Sequence, residues 1–215
     1  MAFVLPALNA LPVPAQFGAV REPPVLTWTT TVAIPNFSDW QVGDLVLVKS
    51  DGSTMAKIIE GVQGSLQSSQ PPTGDPEWTH VALYVDQGLV IESVPRRGIR
   101  YCPVQEYAQT RELRVRRLLR GGAPITPKEG TDLIHEASRY FEQAYSYWAI
   151  ARHLFMQMAI PNADQFFCSS YVAVVHTKAL KVTLDQLAQH RPLLPATLVN
   201  HPAFADLDLE WRALI

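Results

Sequence analysis

The sequence predicts one α+β domain in which an antiparallel sheet packs against helices. Between residues 80 and 118 the apolar residues come in short runs separated by turn residues, as in successive antiparallel strands. At 53–70, and again from residue 131 onward, apolar residues recur with the spacing of amphipathic helices. A chain of 215 residues is long enough for one domain with a sizeable core.

The composition is that of an ordinary globular protein. Hydrophobic residues make up 47% of the chain and charged residues 18%, whereas disorder would need fewer apolar residues and more net charge. The formal charge of −2 predicts no nucleic-acid partner. No apolar run approaches the roughly twenty residues that span a bilayer, so we expect no integral membrane span.

Residues 1–38 are predicted to form an extended arm, and residues 39–215 a single folded domain. The arm is rich in proline, with Pro6, Pro12, Pro14, Pro23, Pro24 and Pro35. Its stretch Val25–Val32 has the composition of an edge strand.

The folded domain is predicted to begin with a buried strand and a helix. Gly43 and Asp44 form a turn that leads into the apolar run Leu45–Val48, which is typical of a strand buried on both faces. Ser53 caps a helix that extends to about residue 70, and a proline-rich loop at 71–76 follows.

A hairpin is predicted next, with strands Val81–Val85 and Leu89–Ser93. If its loop is the three residues 86–88, position 85 pairs with 89 and position 83 with 91. Because side chains alternate between faces along a strand, Glu92 then shares a face with His80. A two-residue loop would place them on opposite faces.

Further strands are predicted at 98–103 and 112–118, within a local concentration of arginines. These could attract an acidic substrate or an anionic membrane surface. Alternation with Leu113 and Val115 favours the simpler interpretation, in which they line the solvent face of a half-buried strand. The arginines are Arg96, Arg97, Arg100, Arg111, Arg114, Arg116, Arg117 and Arg120.

Helices are predicted at Thr131 to about Gln143, at Ile150–Met158 and from Cys168 onward, and the tail from Lys181 is predicted to wrap back over the domain. Polar residues at 162–165 precede an apolar run, which places Cys168 in the first turn of a buried helix. The positive end of a helix dipole favours a thiolate over a thiol. Cys168 is therefore a candidate nucleophile, although a free cysteine is also among the residues most often buried for packing alone.

A catalytic thiol needs a base to take its proton and a third group to orient that base. His80 opens a core strand and Glu92 lies on the strand after it, so the chain offers the required residue types. A metal site is not predicted, because His80, Glu92 and Cys168 lack close pairs such as Cys-x-x-Cys, and we expect no cofactor. A serine hydrolase is not favoured either, since Ser169 and Ser170 lie in no Gly-x-Ser-x-Gly turn.

Four short motifs resemble, in order, the circularly permuted YiiX/YebB-like branch of the NlpC-type papain-like cysteine peptidases, with lecithin retinol acyltransferase as a more distant relative. In ordinary papain-like enzymes the cysteine helix precedes the histidine strand, and in this branch the order is reversed, as it is here. The resemblance covers about residues 40–180. The motifs are Gly43–Val46, Thr79–Val85, Val90–Ser93 with Gly98–Ile99, and Phe167–Val172.

The resemblance implies a permuted papain-like, NlpC-type fold and a role for each motif residue. It makes Cys168 the nucleophile, His80 the general base and Glu92 the orienting residue, with the Cys168 backbone N–H as oxyanion donor. It places Trp78, Tyr84 and Ser169 beside the substrate. The simpler roles are a salt bridge from Glu92 to Arg96 or Arg97, and core packing for Trp78 and Tyr84.

The function that follows is a thiol hydrolase that cleaves an amide bond through an acyl-enzyme. The resemblance suggests peptidoglycan peptides as substrate and a bacterial effector or toxin as context, with an immunity or delivery protein as partner. One alternative is a lipid acyl hydrolase or acyltransferase, whose apolar groove Leu154, Phe155, Met156 and Met158 would provide. Another is a binding domain that does not catalyse a reaction.

Two cysteines, Cys102 and Cys168, are too few to indicate a disulfide framework, so we expect both to be free thiols and Cys102 to be structural. The N-terminal residues lack the basic start of a signal peptide, and Pro6 and Pro12 interrupt their apolar part. We therefore expect synthesis in the cytoplasm, with export by a dedicated secretion system.

Overall fold

The computed structural model describes residues 32–68, 75–95, 97–141, 167–184 and 193–214. Its helices are α1 (Thr54–Ser68), α2 (Gln105–Ala108), α3 (Pro127–Ser138), α4 (Cys168–Leu180) and α5 (Pro195–Val199). Its strands are β1 (Val32–Pro35), β2 (Leu45–Lys49), β3 (Trp78–Asp86), β4 (Leu89–Val94), β5 (Gly98–Pro103), β6 (Leu113–Arg120), β7 (Ala123–Pro124), β8 (Phe204–Leu207) and β9 (Trp211–Leu214).

One antiparallel sheet organises the domain, in the order β5-β4-β3-β2-β6-β7, with β8 also paired to β6. A second sheet consists of β1 and β9, so the end of the predicted N-terminal arm pairs with the last strand of the chain. The predicted α+β fold with an antiparallel sheet packed against helices is confirmed.

The strand β2 lies at the centre of the sheet and separates two apolar layers. Leu45 and Leu47 face the layer that contains helix α4, while Val46 and Val48 face a layer of aromatic residues that includes Tyr84 and Tyr107. These four residues of β2 are fully buried. The continuous apolar run therefore belongs to a strand that is covered on both faces, as predicted.

The β3–β4 hairpin pairs Leu83 with Ile91 as predicted, but the predicted three-residue loop and the predicted pairing of 85 with 89 are wrong. Its turn is the two residues Gln87 and Gly88, both with positive φ, and Leu89 pairs with Asp86. A bulge at Val85 then restores the pairing of Leu83 with Ile91. The prediction that a two-residue loop would separate His80 from Glu92 is wrong, because the extra residue of the bulge shifts the strand by one position.

Gly88 is required at this turn for two reasons. Its φ of 77° lies in the left-handed region, and an added Cβ would come within 2.9 Å of the Phe37 ring. A side chain at this position would therefore strain both the turn and the packing of Phe37.

Helix α3 begins four residues earlier than predicted, at Pro127, and ends at Ser138 rather than near Gln143. Thr126 accepts a hydrogen bond from the Glu129 N–H, and the Glu129 carboxylate accepts one from the Thr126 N–H. This reciprocal cap starts the helix, and Pro127 supplies a φ suited to its first position. The apolar periodicity of the sequence begins after this cap, so it does not predict the start of the helix at Pro127.

The arginines of β6 are not a simple solvent face. Arg116 is 6% exposed, and its guanidinium donates to the carbonyls of Leu198, His201 and Phe204. Arg114 and Arg116 also contact the Asp206 carboxylate. The predicted return of the tail over the domain is confirmed, and Arg116 binds the tail through these hydrogen bonds.

Several sequence predictions lie outside the described residues. They are the edge strand Val25–Val32 except for Val32, the helix Ile150–Met158, and the apolar groove formed by Leu154, Phe155, Met156 and Met158. Among the helices that the structure describes, none is both long and apolar enough to cross a bilayer.

Candidate active site

His80 and Glu92 meet on one face of the sheet, on β3 and β4. The Nε2 atom of His80 lies 2.8 Å from the Glu92 Oε2 atom. The Glu92 side chain has no solvent exposure, whereas that of His80 is 13% exposed. The sheet therefore presents an imidazole near solvent, supported from beneath by a buried carboxylate.

Cys168 is the first residue of α4. Phe167, just before it, has extended backbone angles, and its N–H donates to the Ser170 hydroxyl, which caps the helix start. The Cys168 side chain lies close enough to the His80 imidazole to help raise its pKa. Cys168 is 3% exposed, so it is almost entirely covered by neighbouring residues.

The charges around His80 determine its protonation. Burial by itself lowers the pKa of an imidazole, but the hydrogen bonds and negative charges of Cys168 and Glu92 outweigh it and raise the pKa of His80 to about 10. At neutral pH His80 is therefore protonated, and Glu92 binds it at Nε2.

Glu92 is kept ionised despite its burial. Burial raises the pKa of its carboxyl group, yet the hydrogen bond and charge of His80, together with the charge of Arg100, hold that pKa below its usual value. The Arg100 Nη2 atom lies 2.9 Å from Glu92 Oε1 and 2.9 Å from Glu106 Oε2. Glu92 therefore has a cation on each side of its carboxylate.

A family model described as "Permuted papain-like amidase enzyme, YaeF/YiiX, C92 family" matches residues 39–195. This range is well over half of the chain and contains Cys168, His80 and Glu92. The chain belongs to this family. The permuted papain-like amidases are cysteine peptidase-type hydrolases, so the resemblance, the permuted fold and the expectation of an enzyme are all confirmed.

A solved structure has the same fold. The crystal structure described as metalloprotein YiiX, from Escherichia coli O157:H7, superimposes with a TM-score of 0.54 at 20% sequence identity, and the match covers 80% of this chain and 98% of that one. No curated protein matches the chain. Among the residues described here, no group of three or more His, Cys, Asp or Glu side chains could hold a metal ion.

The other predicted site residues of this amidase lie in packed positions. The Ser169 side chain is buried, and its hydroxyl donates to the Leu193 carbonyl at 2.7 Å. Trp78 is 5% exposed, within the apolar layer that contains Cys168. Tyr84 packs edge-on against Trp40 at a centroid distance of 5.1 Å, and its hydroxyl accepts from the Gly88 N–H. None of these three side chains contacts His80 or Glu92 through a polar group in the described structure.

Cys102 lies on β5 in the layer opposite to Cys168, and both cysteines are free thiols. Burial and the negative charge of Glu92 raise the pKa of the Cys102 thiol far above its ordinary value. Cys102 is therefore kept protonated, which fits the predicted structural role.

Two residues beside His80 and Glu92 were not assigned to the site from sequence. Arg100 faces Glu92 as its cross-strand neighbour on β5, so the pairing of β4 with β5 could have identified it. The Tyr107 hydroxyl lies 3.3 Å from His80 Nε2. Tyr107 comes from the four-residue helix α2, whose position no spacing or periodicity in the sequence predicts.

Proposed function

We propose that this amidase hydrolyses its substrate through an acyl-enzyme, with Cys168 as nucleophile, His80 as acid and base, and Glu92 as the residue that orients His80. The observation that carries the proposal is the arrangement of the three groups. A cysteine at a helix start interacts with an imidazole that a buried carboxylate binds at Nε2.

In this proposal the resting state is a thiolate–imidazolium pair: the pKa of His80 is raised to about 10, and the start of a helix favours a thiolate. The thiolate attacks the carbonyl carbon of the scissile amide. His80 then gives its proton to the leaving amine, and the C–N bond breaks. In the second half, neutral His80 takes a proton from water and the hydroxide attacks the thioester. The C–S bond then breaks, the carboxylic acid product leaves, and the thiolate–imidazolium pair is restored.

Charge that develops on the substrate oxygen would be stabilised at the start of α4. As the first residue of the helix, Cys168 has a backbone N–H without a carbonyl partner one turn earlier in α4. The positive end of the helix dipole points the same way. This N–H is the oxyanion donor in our proposal.

Labelling with a cysteine-directed probe tests the assignment of the triad. We expect selective labelling of Cys168 that weakens in a His80→Ala variant, with Cys102→Ala as a control that leaves labelling unchanged. Equal and slow labelling of both cysteines, insensitive to His80, would instead support a binding domain without turnover.

For the substrate we propose amide bonds in peptidoglycan peptides, supported by the amidase description of the family and by the resemblance to NlpC-type peptidases. Purified peptidoglycan, a phospholipid panel and an unrelated peptide mixture would be incubated with the protein and with Cys168→Ala. Release of peptide fragments only from peptidoglycan supports the proposal. Release of fatty acids would favour the lipid acyl hydrolase.

We further propose that the protein acts as a delivered antibacterial effector. Expression in a bacterium, with and without an added periplasmic leader, tests this role. We expect lysis only with the leader and only with Cys168 intact. Growth that is unaffected in every case would contradict the effector role without contradicting the chemistry.

A further inference from the structure

We propose that Tyr107 is a positioning residue for His80: its hydroxyl oxygen shares the Nε2 proton with Glu92 and so holds the imidazole toward Cys168. This inference rests on the proposed function, and it adds a fourth side chain to the three of the triad. The contact joins Tyr107 Oη and His80 Nε2 at 3.3 Å.

The direction of this hydrogen bond follows from the neighbouring carboxylate. Glu92 is ionised and can only accept, so His80 Nε2 at 2.8 Å must carry the proton. A nitrogen that donates cannot accept from the Tyr107 hydroxyl. The phenolic oxygen therefore faces the same N–H as a second, longer acceptor, and it stabilises the protonated ring.

The phenol ring is held from several sides. Tyr107 is 6% exposed and packs in the apolar layer with Val48, Ala82 and Val104. The Arg111 guanidinium lies 5.7 Å from the centre of its ring. Arg111 is in turn anchored to Asp51, at 2.5 Å, on the segment before α1.

The backbone of Tyr107 is fixed as well. Its N–H donates to the Val104 carbonyl at 3.0 Å. In the same short helix, Glu106 contacts Arg100, which itself reaches Glu92. Helix α2 thus reaches the proposed triad in two ways. Tyr107 contacts His80 directly, and Glu106 contacts Arg100, which in turn contacts Glu92.

Two acceptors on one nitrogen have a consequence for the reaction. A second oxygen beside that of Glu92 narrows the range of directions in which the Nε2–H can point. His80 must exchange its proton without turning away from Cys168. The Tyr107 oxygen keeps the N–H between the two acceptors and favours the protonated ring.

The variant Tyr107→Phe tests the inference, because it keeps the packed ring and removes only the oxygen. We would label the six histidines of the protein with ¹⁵N, identify His80 by its absence in His80→Ala, and follow its ring nitrogens against pH. The pKa of His80 should fall by about half a unit to one unit. The kcat for peptide release should fall about two- to tenfold with KM unchanged.

Tyr140→Phe is the matched control, since it removes a buried tyrosine hydroxyl whose partner is Glu136 rather than His80. Tyr107→Leu removes both the ring and the oxygen. Its melting temperature measures how much the ring contributes to packing, separately from the positioning of His80. If Tyr107→Phe leaves the His80 titration and kcat at their wild-type values while His80→Ala loses activity, Tyr107 is only a core residue and the triad stands. If His80→Ala also retains activity, the proposed function and this inference fall together.

Discussion

At the scale of single residues, surroundings rather than side-chain type decide the chemistry. His80 has two anionic neighbours, and its pKa is raised to about 10. Burial lowers the pKa of His176 to about 4, and the only polar group that its ring contacts in the described structure is the Val172 carbonyl. The two cysteines differ in the same way, because Cys102 faces the carboxylate of Glu92 and Cys168 faces an imidazole.

Glu92→Gln should keep the shape of the site and remove its buried charge. Without that charge the protonated imidazole is less stable, so the pKa of His80 should fall from about 10 and the alkaline limb of kcat/KM should move to lower pH. We expect kcat to fall about 10- to 100-fold, the usual effect of a lost hydrogen bond to a charged group. A pH profile that matches the wild type would mean that Glu92 only fills space.

Arg100→Gln should act on Glu92 rather than directly on His80. Since Arg100 helps to hold the pKa of Glu92 below its ordinary value, its loss should raise that pKa. A carboxylate with a lowered pKa stabilises the fold above its unfolded pKa, and this contribution is lost as the pH falls. In a profile of activity against pH, the acidic decline of the variant should therefore begin at a higher pH than that of the wild type. Arg120→Gln, which removes a surface ion pair with Glu129, should keep the wild-type acid limb.

At the scale of elements, the start of α4 positions Cys168, the proposed nucleophile. The Ser170 hydroxyl accepts from the Phe167 N–H at 3.0 Å and donates to the Phe167 carbonyl at 2.9 Å. Ser170→Ala should lower the free energy of unfolding by about 1 kcal/mol and slow alkylation of Cys168 as the first turn loosens. Ser138→Ala, at the end of α3, also loses a hydroxyl bond to a carbonyl and should leave alkylation unchanged.

Elements were predictable where a local pattern determines them and not where a tertiary contact does. The apolar run of β2 and the pairing of Leu83 with Ile91 came directly from the sequence. The bulge at Val85 did not, because a bulge is set by how the strand fits its neighbours rather than by its own residues. Tyr107 was missed for the same reason, since only the fold brings α2 to His80.

At the scale of the whole molecule, the C-terminal tail completes the core. Arg116 should be central to this closure because it donates to three tail carbonyls. Arg116→Leu would leave these buried carbonyls without a donor and should lower the free energy of unfolding by about 3 kcal/mol. Arg114→Leu removes the more exposed partner of Asp206 and should cost less than about 1 kcal/mol. Urea unfolding of both variants measures the difference, and equal losses would contradict a special role for Arg116.

Acid should weaken the fold through His176. Its pKa is about 4 in the folded protein and about 6.5 in an unfolded chain, so the unfolded chain takes up the proton first. Stability is therefore complete above about pH 6.5 and falls toward pH 4, by roughly 3 kcal/mol in total. His176→Gln should flatten this part of the curve of unfolding free energy against pH. An unchanged slope would contradict the assignment.

The pH dependence of Cys168 alkylation by iodoacetamide tests the thiolate–imidazolium pair most directly. We predict that the wild-type protein reacts readily at pH 6, well below the pKa of about 8.5 of an ordinary thiol. In His80→Ala the reaction at pH 6 should drop at least tenfold and recover only as the pH approaches that value. Identical curves for the two proteins, each rising near pH 8.5, would contradict the account.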